Sequence, residues 1–323
     1  MQYNTLIGTD LRFSALTFGA YRFASKDPAD TEAVSTGKRA LAAALDAGIN
    51  TIHSSFEYGT RWVLDDVLGE RPERHQLNHI IKVPSPDYED ASFSEKQFRE
   101  TIETALRELH TDRITIVQHL QRGVPKPIIY NSRGDVDRLA NFDAVTDDLL
   151  STFDKLKDEG KVGHLYTFPH TQAFADRAIA SRRFEGMVEF FNVIENDMLD
   201  RFPTMREQGM GFFAMRPFLQ GMLTDRRADS ARLENDEHFG KQEWVPHLKR
   251  LSRIEPLVKE AGWNWDELAL RFALQPDLVP SVIASMNRED QVIRAVEAID
   301  GPGPDAELVS RIREVSRDIP LAD

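Results

Sequence analysis

Two residues that could share a proton stand at the ends of short apolar runs. Tyr58 closes TIHSSFEYG (51–59), and Lys82 lies in IIKV (80–83), about one helix-length further on. If the two runs are neighbouring parallel strands, their side chains meet at the strand ends. An ammonium beside a phenol favours the phenolate and makes tyrosine a usable proton donor or acceptor near neutral pH. His53, on the first run, offers either a neutral hydrogen-bond partner for Lys82 or a separate acid or base. His119, near the end of ITIVQHL (114–120), is a further candidate only if a bulge or a different strand ending re-aims it, because one residue of shift turns a side chain to the opposite face. A barrel histidine can equally be a satisfied polar group near the mouth. No HxH or HExxH pairing fixes two metal ligands on one element, so no metal site is expected.

These residues need elements to hold them. The chain has 323 residues, 41% hydrophobic and 29% charged, within the range of a globular α/β barrel folding as one unit, so residues 1–323 are read as a single domain. Eight short apolar or β-branched runs recur at 16–18, 51–53, 80–82, 114–117, 162–165, 188–191, 212–214 and 282–284. Between them lie stretches of helical period, including 36–47, 94–109, 143–157 and 290–299. This alternation predicts an α/β fold, a (β/α)8 TIM barrel. Residues 3–6 and 11–13 around Gly8 predict a hairpin plugging its N-terminal end, and 123–142 and 224–242 predict long loops at its C-terminal face.

A net charge of −13 without a basic stripe argues against nucleic acid or an anionic membrane as partner, leaving a small-molecule substrate. The absence of cysteine removes disulfides and thiolate chemistry, and with no basic n-region before an apolar run the expectation is a cytoplasmic location. The sequence leaves the oligomeric state open.

TLIGTDLRFSALTFGAYRF (5–23), ALDAGINTIHSSFEYG (44–59), IIKV, ALRELHTDRITIVQHL (105–120), DEGKVGHL (158–165), AMRPFLQGMLT (214–224) and ALRFALQPDLVPSVIASMNREDQV (269–292) follow one another in an order that resembles the aldo-keto reductase superfamily. The resemblance spans nearly the whole chain. It implies Tyr58 as the catalytic tyrosine, Lys82 as the catalytic lysine and His53 at the place of the catalytic aspartate, with His119 one position before the expected histidine and Leu120 in its place. It also implies a nicotinamide cofactor, NADP or NAD, near Gly19 and Ala20. Arg216 and Gly221 would wrap the pyrophosphate, and Ser285, Asn287, Arg288 and Gln291 would receive the adenosine end. Arg288 would pair with a 2′-phosphate, favouring NADP.

The departures from that pattern gather at the nicotinamide. Phe168 and Pro169 stand where a Ser-Asn pair is usual, and the glutamine and stacking tyrosine align with Val193 and Asn196. Phenylalanine has no side-chain hydrogen bond to give, and proline has neither a side-chain nor a backbone donor. Three functional readings remain open at this point: an NAD(P)-dependent oxidoreductase using Tyr58; a lyase or isomerase using His53, Tyr58 and Lys82 without hydride transfer; and a binding or regulatory barrel without catalysis.

Overall fold

The computed structural model describes residues 1–88, 90, 92–122 and 135–321. Ten strands are present among them: β1 (Tyr3–Thr5), β2 (Arg12–Ser14), β3 (Leu16–Gly19), β4 (Thr51–Ser55), β5 (Asn78–Pro84), β6 (Ile114–Leu120), β7 (Val162–Thr167), β8 (Gly186–Phe190), β9 (Gly211–Met215) and β10 (Val282–Ser285). β1 and β2 form an antiparallel hairpin, and β3 to β10 close into a barrel in chain order, with β10 parallel to β3. All eight expected barrel strands are therefore found. Helices lie between the barrel strands, so each strand is covered on its outer side and filled on its inner one, which is why the runs read as continuously apolar instead of alternating.

Alternation survives in where the side chains go. Ile80, Ile116, Leu120, Tyr166, Phe168, Val188, Phe213, Met215 and Ile283 pack together inside the barrel with Leu6 and Phe13 from the hairpin. Ile81, Val83, Val117, Leu165, Met187, Phe212, Ala214 and Val282 join the larger core beneath the helices. Phe13 meets Phe213 edge to face at 5.0 Å, so the hairpin seals the N-terminal end with a ring contact. Burying one phenylalanine in this way contributes about 1.5–3 kcal/mol. The closed interior leaves only the C-terminal rim as a mouth lined by the strand ends.

Helix boundaries follow their caps. The expected helix 36–47 begins earlier, at Thr31, because the Asp30 side chain accepts from the Ala33 amide at 3.2 Å and starts a polar first turn that hydrophobic spacing does not mark. Of the long segment 123–142, residues 123–134 lie outside the described residues, and the remainder is largely helical, in Asp135–Ala140 and the start of Phe142–Asp158. The segment 224–242 carries a short helix, Ser230–Leu233, and is tied to the β9 turn by a 3.0 Å hydrogen bond between His238 Nε2 and Gln220 Oε1. No described helix is long and apolar enough to cross a membrane.

Candidate active site

β4 and β5 pair in parallel with Ser55 opposite Lys82, which sets the tyrosine-bearing turn against the lysine-bearing strand. After Ser55 the chain makes a single 3-10 turn, Phe56–Tyr58, closed by Gly59 at φ 67°. That left-handed angle suits glycine, which carries no Cβ penalty. The turn brings the Tyr58 ring to 5.1 Å from the Lys82 ammonium. Tyr58 is also flanked by the Tyr21 ring at 5.1 Å and by His53 at 6.0 Å.

Lys82 has a carboxylate partner, supplied not by β4 but by the turn that follows it. Glu57 Oε2 lies 2.8 Å from Lys82 Nζ, and the side chains are only 12% and 23% exposed for Lys82 and Glu57. Glu57 Oε1 also accepts from Arg122 at 2.6 Å, and Arg122 reaches Asp87 at 2.5 Å. Two cations and two anions thus alternate across the rim. Burial alone would raise the Glu57 carboxyl, but Lys82 and Arg122 together hold it below its ordinary value. Lys82 is lowered, because burial penalises the ammonium more than Glu57 favours it.

His53 points into the barrel and meets Gln118 of β6, with 2.7 Å between His53 Nε2 and Gln118 Oε1. Burial, aided by the nearby Lys82 charge, lowers its pKa to about 4 against the opposing Gln118 bond, so it is neutral at physiological pH. The structure does not bring His119 into this group. β6 runs regularly, with Gln118 and Leu120 inward, and leaves His119 on the outer face, stacked parallel to the Phe184 ring at 6.4 Å. Its Nε2 lies 2.5 Å from the Ser85 carbonyl oxygen, and burial lowers its pKa to about 4. No bulge re-aims it, and the one-residue offset acts as strand geometry dictates.

Residues 15–317 match the Aldo/keto reductase family. The chain belongs to this family. It is 24% identical over 335 residues to the L-galactose dehydrogenase of Arabidopsis thaliana, covering 98% of this chain and 94% of that one. It is 22% identical over 344 residues to a probable voltage-gated potassium channel subunit beta of Oryza sativa subsp. japonica, covering 99% and 98%. Among solved structures, the aldo-keto reductase AKR11C1 from Bacillus halodurans superposes with TM-scores of 0.72 in its holo form and 0.70 in its apo form. Each comparison has 20% identity and covers 98% of this chain and 96% of the other.

Val193 and Asn196, where the sequence resemblance puts two nicotinamide contacts, both follow β8. Val193 is in the outer core, and the Asn196 side-chain amide donates to the Val193 carbonyl at 2.9 Å and to Ser316 Oγ at 3.0 Å. β8 starts at Gly186 and ends at Phe190, so Phe190 is the residue on its inner face at the mouth. Phe190 and Phe168 meet edge to face at 5.2 Å, and Phe168 contacts His170 at 3.9 Å. An apolar wall therefore stands on the side of the mouth across from Tyr58 and Lys82.

The expected cofactor residues fall into two groups. In the first, β10 and β3 lie side by side with Ser285 opposite Gly19. A Cβ on Gly19 would come within 3.1 Å of the Ala284 carbonyl and 3.2 Å of Ser285 Oγ, so glycine permits this close approach. The Ala20 amide donates to the His53 carbonyl at 2.9 Å, joining this rim to the tyrosine-bearing strand. The Asn287 amide donates to Gln291 Oε1 at 2.9 Å, and Arg288 directly precedes the helix Glu289–Ala298, its side chain pairing with Asp290 at 2.8 Å. In the second group, Arg216 at φ 60° and Gly221 at φ 91° bracket a tight turn. The Arg216 guanidinium lies 4.3 Å from the Phe190 ring centroid and 3.5 Å from buried Glu195. Burial would raise the Glu195 carboxyl, but Arg216, His247 and Asn192 hold it at about 2. Arg216 is thereby committed to an ion pair and an aromatic face.

Proposed function

We propose that this aldo/keto reductase family member is an NAD(P)-dependent oxidoreductase that interconverts a carbonyl and an alcohol. The observation that carries the reading is Tyr58 beside Lys82, with Glu57 closing an ion pair at the barrel mouth. Tyr58 gives a proton to the carbonyl oxygen in reduction and takes it back in oxidation. Lys82 supplies the positive field that stabilises the phenolate, and Glu57 favours the ammonium against the burial that lowers its pKa. His53 stays neutral and adds no competing charge.

A bound nicotinamide nucleotide supplies or accepts the hydride. Gly19 and Ala20 would contact the nucleotide on the narrow β3 to β10 rim, and Ser285, Asn287, Arg288 and Gln291 fit its adenosine end at the strand end and the helix start beside it. Arg288 is 51% exposed and pairs with the similarly exposed Asp290, so a 2′-phosphate can compete for it, favouring NADP. Arg216 and Gly221 frame the pyrophosphate side, Arg216 as a fixed charge already stacked on Phe190. The apolar wall of Phe168 and Phe190 would hold the planar nicotinamide ring by stacking in place of side-chain amide bonds.

Titration of the purified protein with NADPH and NADH, followed by nicotinamide fluorescence, tests the reading. Low-micromolar or tighter binding of NADPH is expected. Failure of both nucleotides to bind at millimolar concentration would sink it.

A further inference from the structure

His53 and Gln118 settle one another's chemistry. The Gln118 side-chain amide donates from Nε2 to the Val188 carbonyl at 3.0 Å. That contact fixes the orientation of the amide, because the reversed one would set two oxygens against each other. Gln118 Oε1 therefore faces His53 Nε2 at 2.7 Å as an acceptor, and the proton between them belongs to the imidazole. A neutral imidazole carries one N–H. With it on Nε2, Nδ1 is a lone pair, and among the described residues it has no protein hydrogen-bond partner.

The geometry points to Gln118 as a positioning residue that holds His53 in the Nε2-protonated tautomer and makes Nδ1 a fixed acceptor beside Tyr58. The ligand class this selects rests on the oxidoreductase reading above: a carbonyl compound with a neighbouring hydroxyl. Its hydroxyl donates to His53 Nδ1 while its carbonyl oxygen accepts from Tyr58. The His53 and Tyr58 rings are direct neighbours, with centroids 6.0 Å apart, so one small ligand can touch both polar atoms at once. His53 in this state has no proton to offer a carbonyl, which leaves that task to Tyr58. Val188 lies in the barrel interior, so the anchor of the arrangement belongs to the rigid part of the fold.

Nitrogen-15 NMR of histidine-labelled protein tests this without turnover. The His53 signals are assigned by their loss in His53→Asn. A protonated Nε2 and an unprotonated Nδ1 are expected, with Gln118→Glu keeping that pattern because a carboxylate still accepts, and Gln118→Met giving a mixture of tautomers. A predominant Nδ1–H form in the wild type, or an unchanged pattern in Gln118→Met, overturns the positioning role. For the ligand class, hydroxyacetone is expected to shift the His53 Nδ1 resonance at a concentration about tenfold lower than acetone, the difference one hydrogen bond makes. Equal effects of the two ketones, or none from either, overturn the hydroxy-carbonyl assignment. The nucleotide titration reports separately on the oxidoreductase reading, so failure of one is distinguishable from failure of the other.

Discussion

Acid should destabilise this fold steeply, starting well above the range in which carboxylates titrate. His53, His79 and His119 are all buried, and burial is the largest cause lowering each from 6.5 to about 4. Among the described residues, His79 also has no hydrogen-bond partner at either ring nitrogen. The folded chain therefore resists protons that the unfolded chain accepts. For a group with a depressed folded pKa the stability is complete above the unfolded value, here 6.5, and is lost as pH falls toward about 4. Each uncompensated proton changes stability by about 1.4 kcal/mol per pH unit. Integrated from pH 7 to pH 5, one such histidine contributes roughly 2 kcal/mol and three roughly 5 kcal/mol, as large as the whole stability of many domains. Glu195, at about 2 in the fold against an ordinary 4.5, contributes mainly below that window. Urea unfolding followed by circular dichroism at closely spaced pH values gives the slope directly. Near pH 5 it should approach three protons, and His79→Leu should remove about one of them. A wild-type slope of less than one proton between pH 7 and pH 5 would refute the reasoning.

Glu57→Gln should lower the Lys82 pKa further and shift the alkaline limb of carbonyl reduction to lower pH; a profile overlaying the wild type would remove Glu57 from the mechanism. The same variant should lose about 3–5 kcal/mol of stability in denaturant titrations, because it leaves a buried charge uncompensated. Tyr58→Phe should reduce turnover by about 10²–10⁴-fold with little change in nucleotide affinity, and retention of full turnover would exclude the phenol as proton donor. Arg288→Ala should weaken NADPH about tenfold or more while leaving NADH nearly unchanged, measured as the ratio of the two dissociation constants; equal losses for both would place Arg288 away from the 2′-phosphate.

The barrel was legible because every strand is buried on both faces, so apolar runs at 51–53, 80–82 and 282–284 mark strands even without alternation. Tyr58 and Lys82 followed from adjacency of two such runs. Glu57 did not, for a reason rooted in local geometry. An extended strand turns neighbouring side chains to opposite faces, and on that rule a residue next to Tyr58 points away from Lys82. The chain at Phe56–Tyr58 is instead a 3-10 turn, in which successive side chains are about 120° apart. Glu57 can then reach Lys82 while the Tyr58 ring lies beside the same ammonium. Gln118 was within reach of the period-two rule, two residues from Ile116 and two from Leu120, and opposite Lys82 in register. Val193 and Asn196 follow the end of β8 at Phe190, and beyond a strand end the alternation that assigns faces no longer applies. Sequence order thus locates residues well where the backbone is regular. The chemistry of this mouth depends on the first residues after β4 and β8, where the backbone leaves the strand and direction is set by the turn.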